Sequence, residues 1–200
     1  MTDPKPIETR YAGCRFRSRL EARWAVFFDH LDIRWQYETE GYNLSNGDRY
    51  LPDFYLPTLD QWVEVKGKAD NRDRARIALA AGELPANPSE NLLSPGVLVL
   101  GAIPEPVQHS TLVHMRVASI RGLAMYLPSV FLLRSDTKSV GVMPVAGPQV
   151  LEVQTLLEAS GPATSNINLT HYHRQIPCPP EVLSAYIAAR SARFEHGEQG

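Results

Sequence analysis

The 200-residue sequence predicts an α/β fold with a mixed central sheet flanked by helices, followed by a C-terminal extension. Apolar residues first recur at helical spacing between Leu20 and Leu31. Residues 62–66 then alternate between two faces, which is typical of a strand with one buried face. Residues 97–100 form a continuous apolar run, which suits a strand buried on both faces. These three patterns together predict helices packed on a sheet.

The N-terminal part is predicted to contain an arm, a helix and a strand. Residues 1–12 are polar and marked by proline, so a loose arm is expected. Ser18 and Glu21 have the spacing of a capping box, which predicts that Ser18 is the N-cap of the first helix. Residues 33–38 carry strand-forming side chains and should run from this helix into the sheet. Residues 41–47 are rich in turn formers.

A hairpin and a second helix are predicted next. Residues 50–56 and 62–66 are strand-like, and the segment 57–60 between them is a natural turn. Gly67 should end the second strand. Residues 71–81 are rich in Arg and Ala and predict a helix that ends at Gly82 and Pro85.

The second half of the chain is less strongly patterned. Its predicted elements are strands at 112–117 and 123–133, a short helix within 148–160, a loop at 161–180 and a terminal helix at 181–194. Residues 86–95 are interpreted as an insertion loop. We therefore expect a core over residues 11–102 and an extension over residues 103–200 that packs on the core or continues it.

Composition excludes some classes of protein. No apolar run approaches the roughly 20 residues that cross a bilayer, so no membrane association is expected. Two cysteines provide no disulfide framework, and the N-terminus has no apolar signal core, so a cytoplasmic location is expected. The net charge of −2 is not that of a protein that coats nucleic acid, but basic residues cluster at 15–23 and 66–76. Such clusters bind phosphates or form a solvated helix face.

The hairpin brings two carboxylates together. If residues 57–60 form the turn, Leu56 faces Gln61 and, counting outward, Asp53 faces Glu64. Lys66 lies on the same face, two positions beyond Glu64. Opposed carboxylates repel, so a cation is expected between them, and hard oxygen ligands suit Mg²⁺ or Mn²⁺.

Glu21 is a third candidate carboxylate. On a helical wheel it falls inside the apolar arc of the first helix, which directs it toward the sheet. A buried carboxylate needs a partner, and the site would supply one. The alternative, that Glu21 only completes the capping box with Ser18, stays open.

Histidine and cysteine residues form no convincing metal pattern. His171 and His173 precede Cys178, but no second cysteine pair accompanies them, which favours a loop with surface histidines over a zinc site. His109 and His114 have no nucleophile nearby in the sequence.

Four segments together resemble the PD-(D/E)xK nuclease superfamily. They are F-R-S-R-L-E-A-R-W-A at 16–25, W-Q-Y-E at 35–38, Y-L-P-D-F at 50–54 and E-V-K-G at 64–67. The resemblance covers about residues 11–102, and the order of helix, three strands, helix and strand is similar to a restriction-endonuclease-like core. Small phage and bacterial endonucleases are the members that the chain resembles most.

The resemblance implies an Mg²⁺-dependent endonuclease that hydrolyses DNA phosphodiester bonds, with Mn²⁺ able to substitute. Asp53, Glu64 and the Val65 carbonyl would bind the metal, Glu21 would support it through water or bind a second ion, and Lys66 would orient and activate the attacking water. Candidate phosphate-binding residues are Arg19, Arg23, Lys68 and Arg72. The alternative is a catalytically inactive nuclease fold that binds DNA or serves as an assembly subunit. A homodimer or a partner protein subunit is compatible with either.

Overall fold

The computed structural model describes residues 7–67, 71–85, 96–105, 114–120, 123–133, 139–144, 149–152 and 178–194. The strands are β1 (Thr9–Tyr11), β2 (Cys14–Phe16), β3 (Gln36–Tyr37), β4 (Tyr42–Asn43), β5 (Arg49–Tyr50), β6 (Phe54–Leu56), β7 (Gln61–Val65), β8 (Val97–Leu100), β9 (His114–Ile120), β10 (Leu123–Leu133), β11 (Val140–Pro144) and β12 (Gln149–Glu152). The helices are α1 (Arg19–His30), α2 (Asn71–Glu83) and α3 (Pro180–Ser191).

A large mixed sheet organises the described residues. Its strand order is β11-β10-β9-β8-β7-β6-β3, and β12 pairs with β10 beside β11. β7 and β8 are parallel, with α2 in the connection between them, and the other pairs are antiparallel. The α/β class with a mixed sheet and flanking helices is thereby confirmed. β9 to β12, which follow residue 102, continue the same sheet.

Two hydrophobic clusters cover the two faces of the sheet. On one face, α1 and α3 pack on side chains that include Phe54, Val63 and Leu98. On the other face, α2 packs on Trp62 and Val97. The predicted alternation of β7 is confirmed, since Val63 and Trp62 belong to opposite clusters.

The first helix begins where the capping box predicts. Ser18 is the N-cap, and its side chain accepts a hydrogen bond from the Glu21 N–H. The loose arm predicted for residues 1–12 is wrong for residues 9–11, because β1 pairs with β2 around a turn at Ala12 and Gly13. Gly13 takes a positive φ of 75°, which glycine adopts without strain. Residues 1–6 lie outside the described residues.

The strand predicted for residues 50–56 is interrupted. Tyr50 pairs with β4 in a separate two-stranded sheet, and β6 begins at Phe54. Pro52 has no N–H to donate to a strand ladder, and the Asp53 side chain accepts the Val65 N–H in place of a backbone carbonyl. The ladder with β7 therefore begins at Phe54, one residue after Asp53.

The strand predicted for residues 33–38 is also shorter than expected. Ile33 donates its N–H to the Phe28 carbonyl at 2.9 Å and buries its side chain in the core, so it ends the helix and does not pair in the sheet. The pairing is limited to Gln36 and Tyr37, which face Tyr55 and Phe54.

Two helix predictions need correction, and some predictions fall outside the described residues. α2 continues past Gly82, because Leu84 donates to the Ala80 carbonyl at 2.9 Å and is buried. Within the segment 148–160, where a short helix was predicted, Gln149–Glu152 forms a strand that pairs with the first part of the long strand β10. Residues 153–160 lie outside the described residues. The predicted insertion loop at 86–95 and most of the loop at 161–180 lie outside the described residues. In the described part, no helix is long and apolar enough to cross a membrane.

Candidate active site

A cleft of about 380 Å³ opens where β6 and β7 meet the start of α1. Charged residues from several separate segments of the chain face it. Its lining residues are Arg17, Glu21, Arg49, Tyr50, Leu51, Asp53, Glu64, Val65, Lys66 and Arg76. All five residues predicted for catalysis or metal binding (Glu21, Asp53, Glu64, Val65 and Lys66) are in this set.

Asp53 is positioned by the hairpin. The predicted register is confirmed, since Leu56 pairs with Gln61 and Phe54 with Val63, which places Asp53 one step beyond the ladder on the side of Glu64. The carboxylate accepts two hydrogen bonds. Oδ2 accepts the Val65 N–H at 2.7 Å, and Oδ1 accepts from Arg17 Nη2 at 3.0 Å. Asp53 is only 4% exposed, so these donors replace much of its hydration.

Glu64 has a similar pair of donors. Its Oε2 accepts from the Tyr50 hydroxyl at 2.9 Å, and its Oε1 lies 3.1 Å from Lys66 Nζ. Lys66 Nζ also lies 3.4 Å from Asp73 Oδ1 on α2. The lysine is therefore held between a cleft carboxylate and a helix carboxylate, with its ammonium group fixed at the cleft.

Glu21 combines the two roles that the sequence left open. Its Oε1 accepts from the Ser18 hydroxyl at 2.7 Å, while the Glu21 N–H donates to Ser18 Oγ at 3.2 Å. Its Oε2 accepts from the Tyr37 hydroxyl at 2.6 Å and from the Arg17 N–H at 3.1 Å. The same carboxylate also lines the cleft. Capping thus fixes Glu21 without removing it from the site.

Burial and charge move the pKa values of the cleft residues. Burial, followed by repulsion from Glu64, raises the pKa of Asp53 to about 7, although the Val65 hydrogen bond and Arg17 act in the opposite direction. Burial alone would lower the pKa of Lys66, but Glu64 and Asp73 outweigh it and the pKa is raised. The raised pKa keeps the Lys66 ammonium group protonated at neutral pH.

Several cleft residues were not predicted from the sequence. Arg17 bonds to Asp53, Tyr50 bonds to Glu64, and Arg76 lies with its guanidinium carbon 5.9 Å from the centre of the Tyr50 ring. Arg49 is exposed and lines the same cleft. Arg17 and Arg76 belong to the basic clusters noted in the sequence. The sequence does not show which members of each cluster face the cleft, because that depends on the fold. Tyr50 lines the cleft because the strand is interrupted at Pro52. No pattern of apolar and polar residues predicts this interruption.

The predicted phosphate-binding residues are less well placed. Arg19 and Arg23 are partly buried on α1 and are not among the lining residues of the cleft. Lys68 lies outside the described residues. Arg72 belongs to α2, and its side chain is not described. Their role in binding phosphate stays a prediction.

A larger cavity of about 820 Å³ lies elsewhere, between the β1–β2 hairpin and the end of α3. Arg10, Arg15 and Arg193 line it together with the aromatic pair Tyr11 and Phe194, and no carboxylate is in its lining. Because neither a carboxylate nor a histidine lines this cavity, the smaller cleft is the better candidate for catalysis.

His114 and Cys178 are both buried. His114 is buried beside Tyr186, and its ring nitrogen Nε2 lies 2.6 Å from the tyrosine hydroxyl. Cys178 is a free, buried cysteine. His109, His171 and His173 lie outside the described residues. Among the residues that the structure describes, no three His, Cys, Asp or Glu side chains are grouped in the geometry of a metal site.

No family model matches the chain, and comparison with curated proteins and with solved structures found no significant match. The residues of the cleft are therefore the basis for inferring the function.

Proposed function

We propose that the chain is a metal-dependent endonuclease with a restriction-endonuclease-like core, and that the cleft hydrolyses DNA phosphodiester bonds. The observation that carries the proposal is one grouping: Asp53 and Glu64 are each 4% exposed, they repel each other, and Lys66 Nζ lies 3.1 Å from Glu64. Burying two carboxylates that repel each other costs stability, which a fold tolerates where the pair has a function.

The donors of the cleft fit a hard divalent cation. Carboxylate and carbonyl oxygens are the preferred ligands of Mg²⁺ and Mn²⁺. Burial and repulsion from Glu64 raise the pKa of Asp53, and a divalent cation bound to both carboxylates would offset that repulsion. Asp53, Glu64 and the Val65 carbonyl would hold the ion, with Glu21 in support. Such an ion supplies charge neutralisation at the scissile phosphate and hydroxide near neutral pH.

Lys66 contributes a fixed positive charge. Its ammonium group is anchored by Glu64 and Asp73, and its raised pKa keeps it protonated. A cation held in one place stabilises the negative charge that develops on a phosphate during attack and orients a nearby water by donating a hydrogen bond. This role requires no loss of the lysine proton.

The charge of the cleft favours an anionic substrate. Four cations (Arg17, Arg49, Lys66 and Arg76) and three carboxylates (Glu21, Asp53 and Glu64) line it. With a divalent ion on the carboxylates, the cleft would be strongly positive even though the chain carries a net charge of −2. Phosphodiesters are the matching substrate class, and the choice of DNA depends on the resemblance to PD-(D/E)xK nucleases.

A second candidate function is an inactive nuclease fold that binds DNA or serves as an assembly subunit. One observation favours it: all four carboxylate oxygens of Asp53 and Glu64 already accept hydrogen bonds or ion pairs from the protein. A cleft neutralised in this way could persist without a metal. The two candidates differ in whether the chain cleaves DNA.

Plasmid nicking in Mg²⁺ tests the proposal. The wild type should convert supercoiled to nicked DNA, and Asp53→Ala and Lys66→Ala should each lower the rate by at least about 100-fold, because each removes charge at the reacting phosphate. Arg34→Ala is the matched control, since Arg34 is exposed and does not line the cleft. Equal rates in all four proteins would refute the mechanism.

A panel of linear, branched, mismatched and single-stranded DNA extends this test to substrate structure. DNA binding by a wild type that cleaves none of these substrates, with no calorimetric signal for Mn²⁺, would support the inactive alternative.

A further inference from the structure

Arg17 lies between two carboxylates at the solvent side of the cleft. Its Nη2 is 3.0 Å from Asp53 Oδ1, and its Nε forms an ion pair with Glu38. The Arg17 side chain is 56% exposed, whereas that of Asp53 is 6% exposed. The guanidinium therefore reaches a buried carboxylate from outside, and it can leave that carboxylate without crossing the core.

Glu38 is fixed beside Asp53 by its backbone. Its φ of 43° lies in the left-handed region, which is strained for a residue with a Cβ atom. Its N–H donates to the Asp53 carbonyl at 3.0 Å. The strained residue is thereby held in one position, and its carboxylate forms the outer partner of Arg17.

The two buried carboxylates have parallel sets of partners. Asp53 has one neutral donor, the Val65 N–H, and one cation, Arg17. Glu64 also has one neutral donor, the Tyr50 hydroxyl, and one cation, Lys66. Lys66 is only 24% exposed, so Arg17 is the cation that exchanges more readily with solvent.

A metal ion and Arg17 compete for the same oxygen. Under the proposed function, on which this inference rests, a divalent cation binds Asp53, but Oδ2 already accepts the Val65 N–H and Oδ1 accepts from Arg17. Two cations on one oxygen repel each other. We propose that Arg17 is an exchangeable cation, which neutralises Asp53 in the metal-free protein and binds a substrate phosphate once a divalent ion has replaced it.

The chemistry of the guanidinium suits both positions. Its planar set of donors bridges two carboxylates in the metal-free protein and matches two oxygens of one phosphate equally well. The ion pair with Glu38 keeps the displaced side chain at the cleft. Metal binding and phosphate binding are therefore coupled through one residue.

Calorimetry with Mn²⁺ alone tests the competition. Arg17→Gln removes the competitor and should raise Mn²⁺ affinity about fivefold or more over the wild type, the usual range for coupled sites. Arg17→Lys keeps the charge without the planar fork, so its affinity should lie between the two. Arg49→Gln is the matched control, because it removes a charge from the same cleft without touching Asp53.

The outcomes separate the inference from the proposed function. If Arg17→Gln and Arg49→Gln raise Mn²⁺ affinity equally, the effect is general electrostatics and the exchange is refuted, while the nuclease proposal stands. If the wild type neither binds Mn²⁺ nor nicks DNA, both fail. Thermal melting checks the fold of each variant, and Arg17→Lys serves as the test if Arg17→Gln does not fold.

Binding of a short DNA duplex tests the second half of the exchange. Lys66→Ala prevents cleavage, and in that background Arg17→Gln should weaken binding about fivefold in Mg²⁺ and lower the salt dependence by about one phosphate contact. In chelator the same change should have little effect, because Arg17 then bonds to Asp53. Equal weakening in both conditions would overturn the proposal.

Discussion

Asp53 and His114 are both buried titratable side chains, but their surroundings differ. Asp53 is 4% exposed and lies in an open cleft among charges of both signs. His114 is 6% exposed and lies on β9 against the rings of Trp24, Phe131 and Tyr186. The two regions differ in the charges and the solvent around the buried group.

Burial shifts the pKa of both residues, but only for His114 is burial the sole cause. The pKa of His114 is lowered to about 3 by burial. The pKa of Asp53 is raised to about 7 by burial and then by Glu64, against Val65 and Arg17. A neutral histidine with one neutral partner stabilises a fold. A carboxylate with opposed charges around it and access to solvent is a group that can exchange ligands.

The largest expected difference between the two regions is in stability. Phe27 is a fully buried residue of α1 and contacts the rings of Phe131 and Tyr186. Phe27→Ala should lower the free energy of unfolding by about 3–5 kcal/mol, because it removes apolar burial and leaves a cavity. Urea denaturation measures the change. A loss below about 1 kcal/mol would show that this core is not well packed.

In the cleft, removal of the Asp53 charge should raise the free energy of unfolding. The pKa of Asp53 in the folded protein, about 7, exceeds the ordinary value of 3.8, so the folded state binds the extra proton between these pH values. In chelator, this group's contribution to stability is complete below pH 4 and falls as the pH rises to 7. Asp53→Asn keeps an acceptor for the Val65 N–H and should be about 2 kcal/mol more stable than the wild type at pH 8.

Unfolding curves at several pH values check this expectation, with Arg34→Ala as the control that leaves the profile unchanged. An Asp53→Asn protein that is less stable than the wild type at pH 8 would mean that the carboxylate contributes to the fold itself, and the contrast with His114 would disappear.

His114 should make stability depend on pH in the opposite direction to Asp53. Its pKa of about 3 in the folded protein is below the ordinary value of 6.5, so the unfolded state binds the extra proton between these pH values. Its contribution to stability is complete above pH 6.5 and is lost as the pH falls toward 3. His114→Gln should flatten this rise by about 1–2 kcal/mol, as urea curves between pH 4 and 7 would show. An unchanged slope would contradict the burial of a neutral imidazole.

The smallest expected effect is that of Tyr186→Phe. It removes the hydrogen bond between the tyrosine hydroxyl and His114 and should cost about 1 kcal/mol of stability. Because both residues lie in the core away from the cleft, plasmid nicking should continue at the wild-type rate. A loss of nicking in a stable, folded Tyr186→Phe protein would mean that the two regions are coupled.

Local signals predicted the elements around the cleft well. Ser18 as N-cap follows from hydrogen bonding between neighbours in the sequence, and the Leu56–Gln61 register follows from the length of one turn. A four-residue turn fixes the pairing of the strands on either side, so the position of Asp53 relative to Glu64 could be counted. Glu21 was placed correctly because the helical period relates it to the apolar arc.

Long-range contacts explain what the sequence did not predict. β12 forms because β10 is long enough to pair with two strands along one edge. The residues 149–152 alone do not predict that pairing. Tyr50 enters the cleft because the chain leaves the sheet at Pro52. Arg15 pairs with the exposed Glu8, whereas Arg17 pairs with the buried Asp53. The sequence does not show this difference, because Asp53 approaches Arg17 only in the folded chain.

The central claim is that the cleft cleaves DNA with the help of a divalent ion. The most direct measurement follows the nicking of supercoiled plasmid by one preparation of the wild type in Mg²⁺, after chelation, and after Mg²⁺ is restored. We expect nicking to stop in chelator and to return with Mg²⁺, while Lys66→Ala shows at most about 1% of the rate throughout. Nicking that continues in chelator, or that Lys66→Ala retains in full, would contradict the account.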